Sequence, residues 1–399
     1  LEKDDLHRFI QRVIGNGGIF APVSIWRRRR KIMVPAFSPK IVENFVEVFS
    51  EQSEKLVELM SAHDKGEDFS TWPYISSYTL DSVCETAMGV KINSQGNPDT
   101  PFLKSMGTVL NLVCMRIFHL WLQPEWLFKL FPISKLQEDN INIMHNFTTK
   151  VSQLARVQNH LPTKTFLDCL ITLSGREKGY TNIELREEVL TLTIAGTDTS
   201  AVAIGYTLKL LAKYPEIQDK VYEELCDVFG KSERPLVKED LYKLSYLERV
   251  VKESLRLFPP VPFIIRKVLE EITLPSGRVL PGGSGLVVSI WGIHRDPKYW
   301  GPDAEKFDPD RFLPERFNLA NTCSYMPFSS GPRNCLGYQY ALMSIKTALS
   351  AIVRRYRVIG EPEKSGSPKI RVKIDIMMKD VDGFKIALER RKPENIQQI

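Results

Sequence analysis

The chain has 399 residues, of which 43% are hydrophobic, 10% aromatic and 26% charged. This is a globular composition that excludes wholesale disorder, collagen and coiled coil, and the length allows two or three domains of about 150 residues or one large globule. Lys and Arg number 54 against 48 Asp and Glu, a net +6, which hints at an acidic partner and lies far below what a dedicated nucleic-acid binder carries.

Six cysteines, Cys84, Cys114, Cys169, Cys226, Cys323 and Cys335, lie far apart with no Cys-x-x-Cys and no paired His. Zinc is not indicated, and reduced thiols in a cytosol-facing protein are expected. The single sequon, Asn146-Phe147-Thr148, weighs little, because one match in a chain of this length is a chance expectation. With no signal peptide and no uncharged apolar run of about 18 residues, the chain as given is expected to carry neither anchor nor address.

In chain order, the first chemical signal is Trp26-Arg27-Arg28-Arg29-Arg30-Lys31. Alone it reads as a nuclear signal, a nucleic-acid patch or a solvated face. Trp26 and Arg30 are four apart and share a helical face, so an indole and a guanidinium can reach one anionic group while Arg27 and Lys31 point elsewhere. Apolar periodicity then predicts helices over Pro39 to Met60, Tyr78 to Met88, Thr181 to Lys213 and Pro215 to Phe229. The third is opened by a capping box, Thr181-x-x-Glu184. Its middle, Val189 to Gly205, is apolar except for hydroxyls and Asp198. A carboxylate there is expensive unless hydrated or functional. Gly196 is expected to weaken the helix and open a groove for a small molecule and water, with Ala195 and Thr199 on one face. The bland alternative is a buried helix with back-bonded hydroxyls and a satisfied Asp.

A second capping box, Ser245-x-x-Glu248, opens a helix that Pro259-Pro260 closes. On it Glu253 and Arg256 stand at i and i+3 and can bridge, a pair worth only about 0.2–0.5 kcal/mol if exposed. Phe307-Asp308-Pro309-Asp310-Arg311-Phe312 can bring a second Arg to the same carboxylate. Beyond Pro259 the chain changes character, since Pro259 to Gly337 holds 11 of the 25 Pro and 8 of the 23 Gly. Short β-prone pieces follow at Ile272 to Leu274, Gly285 to Ile290 and Ile370 to Met377, the last leading through the hairpin signal Asp382-Gly383 to Phe384 to Leu388. One helix, Leu336 to Arg355, interrupts them. A single α-rich α+β domain over 1–399, with a large helical lobe and a small sheet lobe, fits this pattern.

The strongest local signal precedes that helix: Phe328-Ser329-Ser330-Gly331-Pro332-Arg333-Asn334-Cys335-Leu336-Gly337. A thiolate at a helix start gains from the dipole and the unsatisfied backbone N–H groups, so the Cys335 pKa is expected to fall. That suits an axial thiolate on haem iron, and Arg333 can offer a fork to a haem propionate. Other templates fail. Gly282-Gly283-Ser284-Gly285-Leu286 is no nucleophile elbow, Gly15-Asn16-Gly17-Gly18 is no dinucleotide fingerprint, and His294 reads as a turn residue.

Together these residues resemble the cytochrome P-450 superfamily over essentially the whole chain, most closely the microsomal branch that includes family four and its insect members. The resemblance implies the P-450 fold and non-covalent haem b, with Cys335 as the iron ligand. Phe328, Gly331, Arg333 and Gly337 fall in the ligand turn, Trp26, Arg30 and Arg266 near the propionates, and Ala195 on the central helix. It implies that Thr199 and Asp198 order water and deliver protons, and that Glu253, Arg256 and Arg311 form a structural triad. It further implies a monooxygenase acting on an apolar substrate such as a fatty acid, a lipid-derived signal or a xenobiotic, without nucleic acid. Electrons would come from NADPH through NADPH-cytochrome reductase, with cytochrome b5 as a second donor, at the cytosolic face of the endoplasmic reticulum. Family members begin with an anchor, a hinge and first strands that are not visible here, and many omega-hydroxylases carry Glu where this chain has Ala195. The alternatives are a same-fold peroxide isomerase or dehydratase and a non-catalytic haem or lipid carrier.

Overall fold

Eleven principal helices carry the fold of the computed structural model, which describes residues 2–97, 100–157, 165–173, 180–317 and 323–391. They are α1 (Arg8–Ile14), α2 (Val23–Met33), α3 (Val46–Met60), α4 (Trp72–Met88), α5 (Pro101–Phe118), α6 (Pro132–Val157), α7 (Phe166–Leu173), α8 (Asn182–Lys213), α9 (Pro215–Phe229), α10 (Ser245–Leu257) and α11 (Tyr338–Arg355). The 32-residue α8, about 48 Å long at 1.5 Å per residue, is the axis. It starts where its sequence dictates: Glu184 N donates to Thr181 Oγ1 at 3.2 Å and Thr181 N donates to the Glu184 carboxylate at 2.9 Å. Its first half packs into a core with α1, α4, α5, α6 and α7, and its second half into another with α3, α9, α10, α11 and a small sheet.

The strands are β1 (Phe69–Ser70), β2 (Phe263–Lys267), β3 (Gly285–Ser289), β4 (Tyr356–Ile359), β5 (Val372–Asp375), β6 (Met377–Asp380) and β7 (Lys385–Arg390). Two further short strands, Ile272–Thr273 and Val279–Leu280, pair with each other. All pairings are antiparallel: β1-β7-β4 form a three-stranded sheet, and β2-β3 and β5-β6 are two-stranded. This is the large helical lobe with a small β lobe that the sequence predicts.

Four local expectations are corrected. The segment Ile370 to Met377 is not one strand, because it turns back at Ile376, whose φ of 57° is unusual for a β-branched residue, and pairs Val372–Asp375 with Met377–Asp380. The Asp382-Gly383 turn therefore joins two different sheets rather than closing a hairpin. The Ser245 capping box does not form. Tyr246 N and Leu247 N donate instead to the Glu224 carboxylate of α9 at 2.6 and 2.9 Å, and Glu248 pairs with Lys252 and Lys346. Gly196 opens no break in α8, which runs through it unbroken. A Cβ there would lie 2.8 Å from Val83 Cγ2, so the glycine lets α4 approach. The sequon lies inside α6, where buried Thr148 bonds back to Met144 O and His145 O.

Candidate active site

The loop ending at Cys335 folds on itself through two left-handed residues, Ser329 (φ 62°) and Gly331 (φ 77°). Three backbone bonds lock it: Ser329 N to Met326 O at 2.9 Å, Asn334 N to Gly331 O at 3.0 Å and Cys335 N to Phe328 O at 2.8 Å. A Cβ at Gly331 would meet nothing within 4 Å, so backbone conformation, not crowding, requires glycine there. Phe328 packs against one core and Leu336 against the other, which also holds Ile194 of α8. The thiol loop thus bridges the two cores. Cys335 itself is open to solvent, and α11 begins only at Tyr338, with Gly337 at its N-cap. The expected fall in thiol pKa does not occur. Desolvation by the surrounding protein pushes it up, outweighing the Gly337 N–H and the Arg30 charge that pull it down.

Helix α2 holds this loop from one side. Arg30 donates to Asn334 O at 2.8 Å and to Asn334 Oδ1 at 2.7 Å. Arg333 donates to Ala21 O at 2.7 Å and Ile19 O at 3.3 Å, and its guanidinium lies 4.6 Å from the centroid of the buried Trp26 ring. Within the basic run the anchor is Arg29, which sequence reasoning does not single out. It is buried and donates to Glu188 and Glu184, both at 2.8 Å. The signal available was Glu184 and Glu188 at i and i+4 on the central helix. Arg27 and Lys31 are exposed, whereas Arg28 lies 3.6 Å from Glu184.

Positive charge gathers on this side. Arg266 of β2 donates to Ile265 O, and burial together with Arg266 and Arg333 presses the Lys3 pKa down to about 7. Glu2 is the acid that acts on Arg333, and Arg333 Nε is buried with no hydrogen-bond partner among the described residues.

On α8, Ala195, Gly196 and Thr199 are only partly covered while Thr197 and Asp198 are buried. Thr199 Oγ1 donates to Ala195 O at 2.6 Å, the back-bonding of the bland alternative, and leaves its lone pairs free to accept. Thr199 and Asp198 occupy different faces. Asp198 turns inward, its Oδ1 2.9 Å from Lys379 Nζ, and burial pushes its pKa up against that ammonium.

Behind the loop, Arg256 donates to both Glu253 oxygens at 2.7 and 2.8 Å and to the carbonyls of His294, Ala304 and Lys306 at 2.7, 2.7 and 3.0 Å. Asp308 N donates to Glu253 at 2.9 Å. Arg311 reaches Glu253 more loosely, at 3.5 Å, and is held by Trp300 O and Asp303 O. His294 is no idle turn residue. It is buried, its Nδ1 lies 3.0 Å from Arg256 O and its Nε2 accepts from Met326 N at 2.8 Å. The ring is a neutral Nδ1–H tautomer, its pKa pressed by burial to about 3, and it ties the Glu253–Arg256 pair to the thiol loop. Among the described residues no cluster of His, Cys, Asp and Glu could hold a metal ion.

The cytochrome P450 family model matches residues 2–383, and the chain belongs to that family: it is a cytochrome P450 monooxygenase, and membership implies haem. Relatives named within family four match nearly the whole chain. It is 36% identical over 408 residues to cytochrome P450 4V2 of Pongo abelii, covering 98% of this chain and 77% of that protein. It is 35% identical over 411 residues to cytochrome P450 4V2 of Homo sapiens (99% and 77%), and 33% identical over 414 residues to cytochrome P450 4c3 of Drosophila melanogaster (98% and 76%). The residues present fit haem. An accessible sulfur stands beside a cation, and the crowded cations Lys3, Arg266 and Arg333, one with an orphaned N–H, suit a pair of propionates.

Proposed function

We propose that Cys335 ligates the haem iron and that this chain, as one domain, inserts one atom of dioxygen into a small apolar substrate of the fatty-acid, lipid-signal or xenobiotic kind. The observation that carries the reading is the accessible Cys335 on a locked loop whose neighbour Asn334 is gripped by Arg30. Arg30, Arg333 and Arg266, with Trp26 as the apolar support of Arg333, would neutralise the propionates. Haem supplies dioxygen binding and electron transfer. Thr199, its own proton spent on Ala195 O, accepts from water at the open face of α8. Asp198 holds a proton one residue away, and the two deliver protons to the site. Ala195 offers no carboxylate, so the haem is held without an ester link. Glu253, Arg256 and Arg311 are structural.

The electrons come, in this reading, from NADPH through a flavoprotein reductase, with cytochrome b5 as a second donor, at the cytosolic face of the endoplasmic reticulum. Among the described residues no helix is long and apolar enough to cross a membrane. A surface contact is supported by Phe118, Leu120, Trp121, Trp126 and Leu130, of which Leu120 and Leu130 are 74% and 73% exposed, with Lys129 and Lys135 beside them. Exposed Trp and Leu flanked by Lys is the composition of an interfacial membrane contact. The test is product formation from fatty-acid substrates with reductase and NADPH. Turnover that requires both fits a monooxygenase, and conversion of a hydroperoxide without either fits the isomerase alternative.

A further inference from the structure

Asp198 shares its cation. Lys379 Nζ lies 2.9 Å from Asp198 Oδ1 and 3.8 Å from Asp375 Oδ2. The β5–β6 register pairs Lys373 with Lys379 and Asp375 with Met377, so the two-residue period of a strand puts these side chains on one face. Asp198 is fully buried, while Lys379 and Asp375 are 6% and 8% exposed. The Trp72 ring walls off Lys379 at 4.7 Å. Both Asp198 oxygens and Asp375 Oδ1 are buried without a hydrogen-bond partner among the described residues, so Lys379 meets Asp198 as an ion pair.

Two carboxylates and one ammonium leave a net negative charge and empty acceptors in a low dielectric, and retaining one proton relieves both. Nearby ionisable groups are otherwise engaged. On α4, Asp81 is saturated by Ser94 and Gln95, and Glu85 by Gln52 and Lys91. On α10, Glu253 closes on Arg256. Asp380 Oδ2 takes Lys209 and Phe384 N, while its Oδ1 is buried without a hydrogen-bond partner among the described residues. Lys373, two residues before Asp375 on the same strand, acts on it as a second cation.

We propose that Asp198, Lys379 and Asp375 form one proton-holding unit, in which Lys379 is the positioning residue that sets the ionisation of Asp198 and Asp375 is the competing carboxylate through which a proton is replaced. The unit rests on the reading of Asp198 as a proton donor given above. When Asp198 gives up its proton, the less buried Asp375 takes one from water, and Lys379 passes a proton to Asp198 while taking that one from Asp375. An O–H bond forms on Asp198, the transient O–H bond on Asp375 breaks, Lys379 ends unchanged and Asp375 ends ionised as it began.

The experiment is infrared titration of the ferric holoenzyme in H2O and D2O, with the protonated-carboxyl band assigned by its loss in Asp198→Asn. Lys379→Met removes the cation, so the Asp198 midpoint moves up by about 1–3 pH units. Asp375→Asn keeps the shape but removes the competing anion, so the midpoint moves down, and Lys379→Arg stays near wild type. The pH at which product per NADPH is half lost follows the midpoint in each variant. Midpoints that do not move, or that move the same way in Lys379→Met and Asp375→Asn, overturn the unit. The near-isosteric Asp375→Asn with an intact haem spectrum guards against reading misfolding as either result. Midpoints that move as stated while coupling does not follow leave the unit standing and remove Asp198 from proton delivery.

Discussion

Arg30 grips Asn334 by both of its oxygens, the backbone O at 2.8 Å and Oδ1 at 2.7 Å, one residue before the cysteine. Helix α2 is thereby fastened to the thiol loop by a bidentate contact that carries charge.

Arg30→Ala should cost that grip, at about 1.5–3 kcal/mol for hydrogen bonds from a charged group, and Arg30→Lys, a point charge without the fork, should recover only part of it. The check is the rate of haem transfer to an apoglobin acceptor. Release should be fastest in Arg30→Ala, intermediate in Arg30→Lys and slowest in wild type. Equal rates would show that the contact does not hold the loop.

Thr199→Ala and Asp198→Asn should keep the haem spectrum while losing about 10²–10⁴-fold in product, the span of proton-transfer catalysis, with the NADPH consumed appearing as peroxide. Product and peroxide are measured together. A variant that stays fully coupled has lost nothing that mattered to proton delivery.

Glu253→Ala should destabilise the fold by about 3–5 kcal/mol, because it leaves the fully buried Arg256 without its carboxylate. Glu51→Ala, which frees Lys55 from a pair 40% and 47% exposed, should cost under about 1 kcal/mol. Denaturant unfolding of the two variants side by side checks this, and comparable losses would contradict it.

The exposed cations Arg27 and Lys31 flank the α2 face that holds the thiol loop. Reversing both to Glu should slow reductase-driven turnover at low ionic strength, with the difference fading as salt shortens the screening length to about 8–10 Å. Turnover driven by added peroxide should be unaffected. Equal loss in both assays would point to haem loss, and no loss in either would make the run ordinary surface.

Legibility in the sequence follows the range of the interaction. The Thr181 capping box, the bounds of Pro215–Phe229 and the Glu253–Arg256 pair are set by neighbours three or four residues apart, and all three stand as read. The Ser245 box fails because Glu224 of the adjoining helix takes the Ser245 hydroxyl with the Tyr246 and Leu247 N–H groups, while Glu248 N turns to Leu244 O. His294 and Lys379 escape a sequence reading for the same reason. Their partners, Met326 and Asp198, are 32 and 181 residues away, and only the packed fold brings them together. The thiol pKa departs from the helix-end expectation because desolvation outweighs the Gly337 N–H and the Arg30 charge.

The central claim, thiolate ligation by Cys335, is tested most directly by the absorption spectrum of the reduced, CO-bound protein. Wild type and Cys323→Ala should show the strongly red-shifted Soret band of a thiolate haem, and Cys335→Ala should lose it. A red-shifted band that survives in Cys335→Ala would contradict the assignment.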